Sequence, residues 1–179
     1  MRAQGIVIKR IDVGEYNQII HFYTEHQGKL AILAKSVKKH SSLQAAHLEP
    51  FNLVDFRIIT SANLPIIASA QSLENFLGIK SNLTKQALGF LLLECFDRLV
   101  YENEYDPSLW EWLLRRLHRL EQCSNTVTDL AVVGEEIKSE LPVVLGYNRQ
   151  LNDQELEFLL SSLSARRFAS LQFIQSMLE

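Results

Sequence analysis

Through the first seventy residues apolar side chains, many of them β-branched or aromatic, gather in short runs separated by polar turns, the pattern of strands. Residues 5–10, 18–24, 29–35, 51–60 and 64–69 each carry such a run. The fourth sets Val54, Phe56 and Ile58 against Asp55 and Arg57. Pro65 lacks an N–H and so belongs at the start or edge of the fifth strand. Asp12-Val13-Gly14-Glu15 separates the first two strands, and Glu25-His26-Gln27-Gly28 the second and third, with Gly28 able to take the positive φ that closes a hairpin. Five short strands and one longer excursion, residues 36–49, predict a small barrel of the OB-fold type.

After residue 72 the apolar spacing becomes helical. Ser81 is placed as the cap of a helix running to about Tyr101, with Leu83, Ala87, Leu91, Cys95 and Leu99 on one stripe and Lys85 and Arg98 off it. Asp106-Pro107 reads as an N-cap followed by proline at the first helical position. That helix turns Leu109, Trp110, Leu113, Leu114, Leu117 and Leu120 inward and Glu111, Arg115, Arg116 and Arg119 outward. A third helix spans roughly residues 128–145, bent near its end by Pro142 and stopped at Gly146. Asn152 with Glu155 predicts a fourth helix, and Ser164 a fifth burying Phe168, Leu171, Ile174 and Leu178. The fold class expected is mixed β then α: a five-stranded, nucleic-acid-binding OB-fold barrel over residues 1–72, then an antiparallel helical bundle over residues 73–179.

Composition changes this picture little; charge changes it more. Apolar residues make up 47% of the 179 and charged residues 22%, ordinary for a globular chain. The net charge of −3 conceals a basic first part. Residues 1–70 hold eight Lys and Arg against five Asp and Glu, and residues 71–179 hold ten against sixteen. A basic barrel joined to an acidic helical part suits an anionic ligand held by the barrel. The longest apolar helical run, residues 88–93, is too short to span a bilayer, and no secretory leader pattern opens the chain, so a cytoplasmic location is expected.

The usual catalytic signatures are missing. The seven glycines occur singly, without GxxxxGK[ST] or GxGxxG, which argues against a nucleotide cofactor. No CxxC or HExxH is present, and His21 and His26 lack a third ligand nearby, so no metal is expected. Cys95 reads as a reduced core thiol and Cys123 as a loop residue just past a helix end, not as a disulfide pair. Glu135-Glu136 reads as a solvated helix face. The chain is expected not to be an enzyme.

The informative stretch is residues 34–42, where Lys35, Lys38, Lys39 and His40 leave a strand and enter a loop that can reach a phosphate backbone. Lys9, Arg10 and Lys29 could line the same side of the barrel. Phe22, Tyr23, Phe51 and Phe56 lie on or beside the strands, some as stacking platforms for bases if exposed, at least half of them as core.

In order along the chain, these elements resemble the RecO family of bacterial DNA repair and recombination mediators. Gly5-Ile6-Val7-Ile8 resembles the family's opening strand, Gly14-Glu15 its first turn, and Thr24 through Gly28-Lys29-Leu30 its T…GKL hairpin. Ala34-Lys35 with Lys38, Lys39 and Ser41 resembles the KGxRxxxS basic loop, and Leu48-Glu49-Pro50-Phe51 the entry to the fourth strand. Leu92-Leu93-Glu94 with Arg98-Leu99 resembles the first long helix, and Leu145-Gly146-Tyr147 a helix end. The resemblance covers roughly residues 4–150. Ser36 stands where the family usually has glycine, and the four-cysteine zinc module of many relatives has no counterpart here, which reads as a short form.

The resemblance implies a non-enzymatic mediator, nucleoid-associated, that binds single- and double-stranded DNA and anneals complementary strands. Its implied partners are RecR and single-stranded-DNA-binding protein, and through them RecA. The expected phosphate contacts are Lys35, Lys38 and Lys39, then Lys9, Arg10 and Lys29. Arg115, Arg116 and Arg119 form a second basic stripe that could extend the DNA track, meet the acidic tail of the single-strand-binding protein, or stay solvated. Two other readings stand beside this one: an OB-fold protein-interaction adaptor with weak or no DNA binding, and a structured-RNA-binding module.

Overall fold

The short apolar runs become five strands of a closed barrel in the order β1-β2-β3-β5-β4. The structure, a computed structural model, describes residues 1–102 and 104–146. Tyr147, the capping pair at Asn152 and Glu155, and the helix expected after Ser164 lie outside the described residues. The strands are β1 (Arg2–Val13), β2 (Asn17–Thr24), β3 (Gly28–Ala34), β4 (Leu53–Ile59) and β5 (Ile66–Glu74). All neighbours run antiparallel except β3 and β5, which close the barrel through the parallel pair Leu33 and Ile66. This is the OB-fold barrel expected from the spacing. Pro65 sits just before β5, where its carbonyl accepts from Leu33 N–H at 2.8 Å.

Every second strand residue turns inward. Val7, Ile20, Phe22, Ile32, Ala34, Val54, Phe56, Ile58 and Ile67 form one core, with the Phe22 and Phe56 rings stacked at 4.2 Å. Each such side chain contributes roughly 1.5–3 kcal/mol by leaving water. Val37 and Leu48, at the two ends of the long excursion, add to the same core. β1 is far longer than its sequence run, since Arg2–Ile6 also pair with β4 and Lys9–Val13 go on pairing with β2 past a bulge: Val7 pairs with Phe22 and Lys9 with His21, which leaves Ile8 as the extra residue. Past the bulge, Lys9–Val13 is exposed throughout, and with the start of β2 forms a hairpin arm.

The chain divides into two compact units, Met1–Asn75 with Val100–Pro107, and Phe76–Leu99 with the residues from Ser108. In the first unit, Val100–Pro107 returns along the β2–β3 hairpin. Lys29 bridges to Glu102, and the Tyr23 hydroxyl donates to the Asp106 carbonyl at 3.3 Å. Burial pushes the Tyr23 hydroxyl up to about 12.

The second unit holds α1 (Leu77–Lys80), α2 (Leu83–Leu99), α3 (Pro107–Gln122) and α4 (Val127–Val144). α1 was not anticipated. Its single turn takes up Ser81 as a C-terminal residue, and Asn82 becomes the cap of α2 by accepting from Lys85 N–H at 3.0 Å. Ser81, the expected cap, donates instead to the Gly78 carbonyl. Pro107 opens α3, and α4 carries Pro142 in its last turn, is capped by Thr126 and is followed by Gly146 at φ 90°. Cys95 is wholly buried, and burial pushes its thiol well above the ordinary range. Cys123 lies just past α3 and is buried too. Among the described residues no helix is long and apolar enough to cross a membrane.

Candidate nucleic-acid interface

The loop that leaves β3 is built against the tip of the β1–β2 arm. Ser36 adopts φ 56°, a left-handed conformation that turns the chain. Its N–H donates to the Asn17 side-chain carbonyl at 2.8 Å, and Lys38 N–H donates to the Tyr16 carbonyl at 3.0 Å. These two bonds tie the loop that carries Lys35, Lys38 and Lys39, all exposed, to the arm. Val37, between them, is buried and anchors the loop.

Two of the three lysines already have partners. The Lys38 ammonium pairs with Asp12, and Lys39 lies 5.3 Å from the centre of the Tyr16 ring. Hydrogen bonds from Lys38 and then Gln18 hold the Asp12 carboxyl below the usual range. Both Asp12 and Tyr16 were missed in the sequence. Tyr16, an aromatic next to the Gly14-Glu15 turn, was the available signal; the Asp12 pairing depends on register and left none.

The remaining candidates do not join this cluster. Lys9 and Arg10 are exposed but lie opposite His21 and Ile20, so they point to opposite faces of the arm instead of lining one side. Lys29 begins the far end of β3, about 20 Å along the strand from Lys35, and is buried beside Glu102. Phe22, Tyr23, Phe51 and Phe56 are all buried, so none of the four offers a ring to a base.

The arginine stripe on α3 is also divided. Arg115 is exposed, as expected. Arg116, expected to face outward, is buried: it donates to Glu136 at 2.8 Å and lies 3.6 Å from Glu140. Arg119 reaches Glu136 at 3.5 Å. The reason is the helical period, which puts Arg116 on the stripe of Trp112, Leu113 and Leu120 that faces α4. Trp112 completes the network by donating to Glu140 at 2.6 Å. Of the Glu135-Glu136 pair, only Glu135 keeps to the solvated side, with Lys138.

Residues 1–76 match the family described as recombination protein O, N-terminal. The chain is 28% identical over 151 residues to the DNA repair protein RecO of Shouchella clausii, covering 84% of this chain and 57% of that one. The RecO of Bacillus subtilis is likewise 28% identical over 151 residues, covering 84% and 58%. Over a shorter stretch of 84 residues, 47% of this chain and 34% of its relative, the RecO of Rubrobacter xylanophilus is 36% identical. The chain spans a little over half the length of the first two relatives. The barrel with its basic loop and the matches extending into the helices make the chain similar to RecO proteins along residues that include both the strands and the helices, with the family match itself confined to residues 1–76.

Proposed function

We propose that this chain is a DNA repair and recombination mediator that binds single- and double-stranded DNA, anneals complementary strands and assists recombinase loading. It works without covalent chemistry, alongside RecR, single-stranded-DNA-binding protein and, through them, RecA. The observation that carries the reading is that Lys35, Lys38 and Lys39 are all exposed on one loop, which is tied to the arm. Cations placed so reduce the repulsion between two phosphate backbones, and bases held loosely can then pair. The bond from Lys38 to Asp12 is exposed, and solvent screens such pairs until they hold little, so a phosphate competes for that ammonium on good terms.

Replacing Lys38 and Lys39 with alanine tests this. Affinity for all DNA sequences is expected to fall about equally, and the slope of log affinity against log salt to flatten by roughly 1 to 2 units. Annealing of labelled complementary oligonucleotides, bare or coated with single-strand-binding protein, is expected to slow with it. A double variant that keeps the parent's affinity, slope and annealing rate would remove the loop from the interface.

The adaptor reading has one observation of its own, since Asp12 offsets part of the loop's charge. It is preferred if fluorescence anisotropy detects no salt-dependent binding to single strand, duplex or folded RNA. Preference for folded RNA over single-stranded DNA would select the RNA-binding reading.

A further inference from the structure

The hairpin arm carries an open strand edge. On the side away from β2, β1 pairs with β4 as far as Ile6. Val7 follows, donating to the Asn52 carbonyl at 3.0 Å and accepting from Phe51 N–H at 3.1 Å. Past the bulge at Ile8, Arg10–Val13 pair with β2 alone among the described residues, and all of them are exposed.

Alternation fixes which backbone groups lie on that edge. Val7 turns its N–H and C=O toward the β4 side, so Ile6 turns toward β2, opposite Tyr23. On β2, His21, Ile19 and Asn17 then face β1 as Tyr23 does. Their partners Lys9, Ile11 and Val13 bond to β2, which leaves the backbone groups of Arg10 and Asp12 on the open edge. An edge of this kind offers donors and acceptors that a further strand completes.

The side chains sort by the same alternation. Arg10 and Asp12 share one face of the arm, where the Asp12 carboxylate accepts from Gln18 at 2.8 Å and pairs with Lys38. The other face carries Ile11 and Val13, 39% and 38% exposed; Ile11 lies opposite Ile19, and Ile19 opposite Leu33. Such an edge is complementary to itself. Two copies related by a two-fold axis pair antiparallel, each using the same patch. Registers that set Arg10 opposite Arg10, or Asp12 opposite Asp12, bring like charges face to face. The register centred on Ile11 instead sets Arg10 of each copy opposite Asp12 of the other.

We infer that a second copy of this chain docks on the open edge of β1, antiparallel and centred on Ile11. Backbone bonds between Arg10 and Asp12 join the copies, with reciprocal Arg10–Asp12 ion pairs on one face and an Ile11–Ile11 contact on the other. Each Asp12 oxygen keeps a lone pair beyond the one that Gln18 or Lys38 uses, so the incoming guanidinium displaces neither. The two-fold axis leaves both basic loops on the same face of the joined sheet, because Lys38 meets Asp12 on the face of the ion pairs. Two anionic strands then lie side by side, which suits annealing, but the docking itself needs no nucleic acid. A single strand edge is a small interface, so the dimer is weak and concentration-dependent.

Sedimentation velocity of the full chain, without nucleic acid and over a rising concentration series, tests this. The parent is expected to pass from monomer toward dimer. Arg10→Asp and Asp12→Arg each put like charges opposite one another and are expected to weaken self-association about tenfold or more. An equimolar mixture of the two variants is expected to associate about as well as the parent, because each supplies the sign that the other lacks. Thermal melts check that both variants are folded. Should either melt early, the chain carrying both changes replaces them: opposite charges again meet, and it is expected to dimerise. A parent that stays monomeric throughout would overturn the inference. So would folded single variants that associate like the parent, or a mixture, or a doubly changed chain, that stays monomeric. With no oligonucleotide present, each of these outcomes is separate from the fate of the proposed DNA binding.

Discussion

Ser36 shows what one residue contributes to the loop. At φ 56° its Cβ crowds the backbone, a conformation costing roughly 1–2 kcal/mol for an L-residue and nearly nothing for glycine. The bond from its N–H to Asn17 and the burial of Val37 next to it hold the turn in place. Ser36→Gly relieves the strain but loosens the unfolded chain by about 0.4–1 kcal/mol. A net gain of about 0.5–1 kcal/mol in urea unfolding is expected, with DNA affinity unchanged because the lysines keep their positions. Position 36 was legible as unusual from the neighbouring basic motif. The Asn17 side chain that supports it was not, because the two lie nineteen residues apart and meet only through the β2–β3 register.

At the scale of an element, α2 shows where periodicity misleads. Lys85 falls off the apolar stripe yet is buried at 3% exposure, and Leu83, placed on the stripe, is 57% exposed. The ammonium of Lys85 donates to the carbonyls of Glu121 at 3.1 Å and Cys123 at 2.7 Å, at the C-terminal end of α3. Those carbonyls have no partner within their own helix, and they carry the negative end of its dipole. Lys85→Met removes the charge and strands both acceptors; a loss of about 2–4 kcal/mol is expected in urea unfolding. A loss below about 1 kcal/mol would mean that water serves the α3 terminus equally well. Glu121 does the converse for α1, accepting from Gly78 and Ile79 N–H at 2.8 Å each. Neither partnership leaves a mark in the local pattern, because a lysine that caps another helix looks the same in sequence as one facing water.

On the scale of the whole chain, the return of Val100–Pro107 to the barrel unit is the feature furthest from local rules. Gly28 makes it possible: a Cβ there would lie 2.2 Å from the Glu104 carbonyl oxygen, besides facing the strain of φ 66°. Gly14 has nearly the same φ, 64°, with nothing within 4 Å of its missing Cβ. The two glycines therefore separate strain from contact. Gly14→Ala is expected to destabilise by about 1–2 kcal/mol, from the backbone alone. Gly28→Ala should cost at least about 2 kcal/mol more, because the returning segment must shift. Equal losses in urea unfolding would show that residues 100–107 give way without cost.

What the sequence determined by itself was whatever depends on near neighbours: five strand-forming runs, the turn at Gly28 and proline at the head of α3. The basic loop was legible for the same reason, since its lysines lie within five residues. Tertiary structure alone decided which charges are free to act. Lys29 and Arg116 read as exposed cations, but the returning segment encloses the first and the acidic face of α4 engages the second. It also decided the character of the outer barrel face. One bulge at Ile8 sets the phase of the arm, and a one-residue shift in phase exchanges the faces of every residue after it. Ile11 and Lys9 therefore share a side with Leu33 and Lys35 only because of a pairing between strands, which no window along the chain contains.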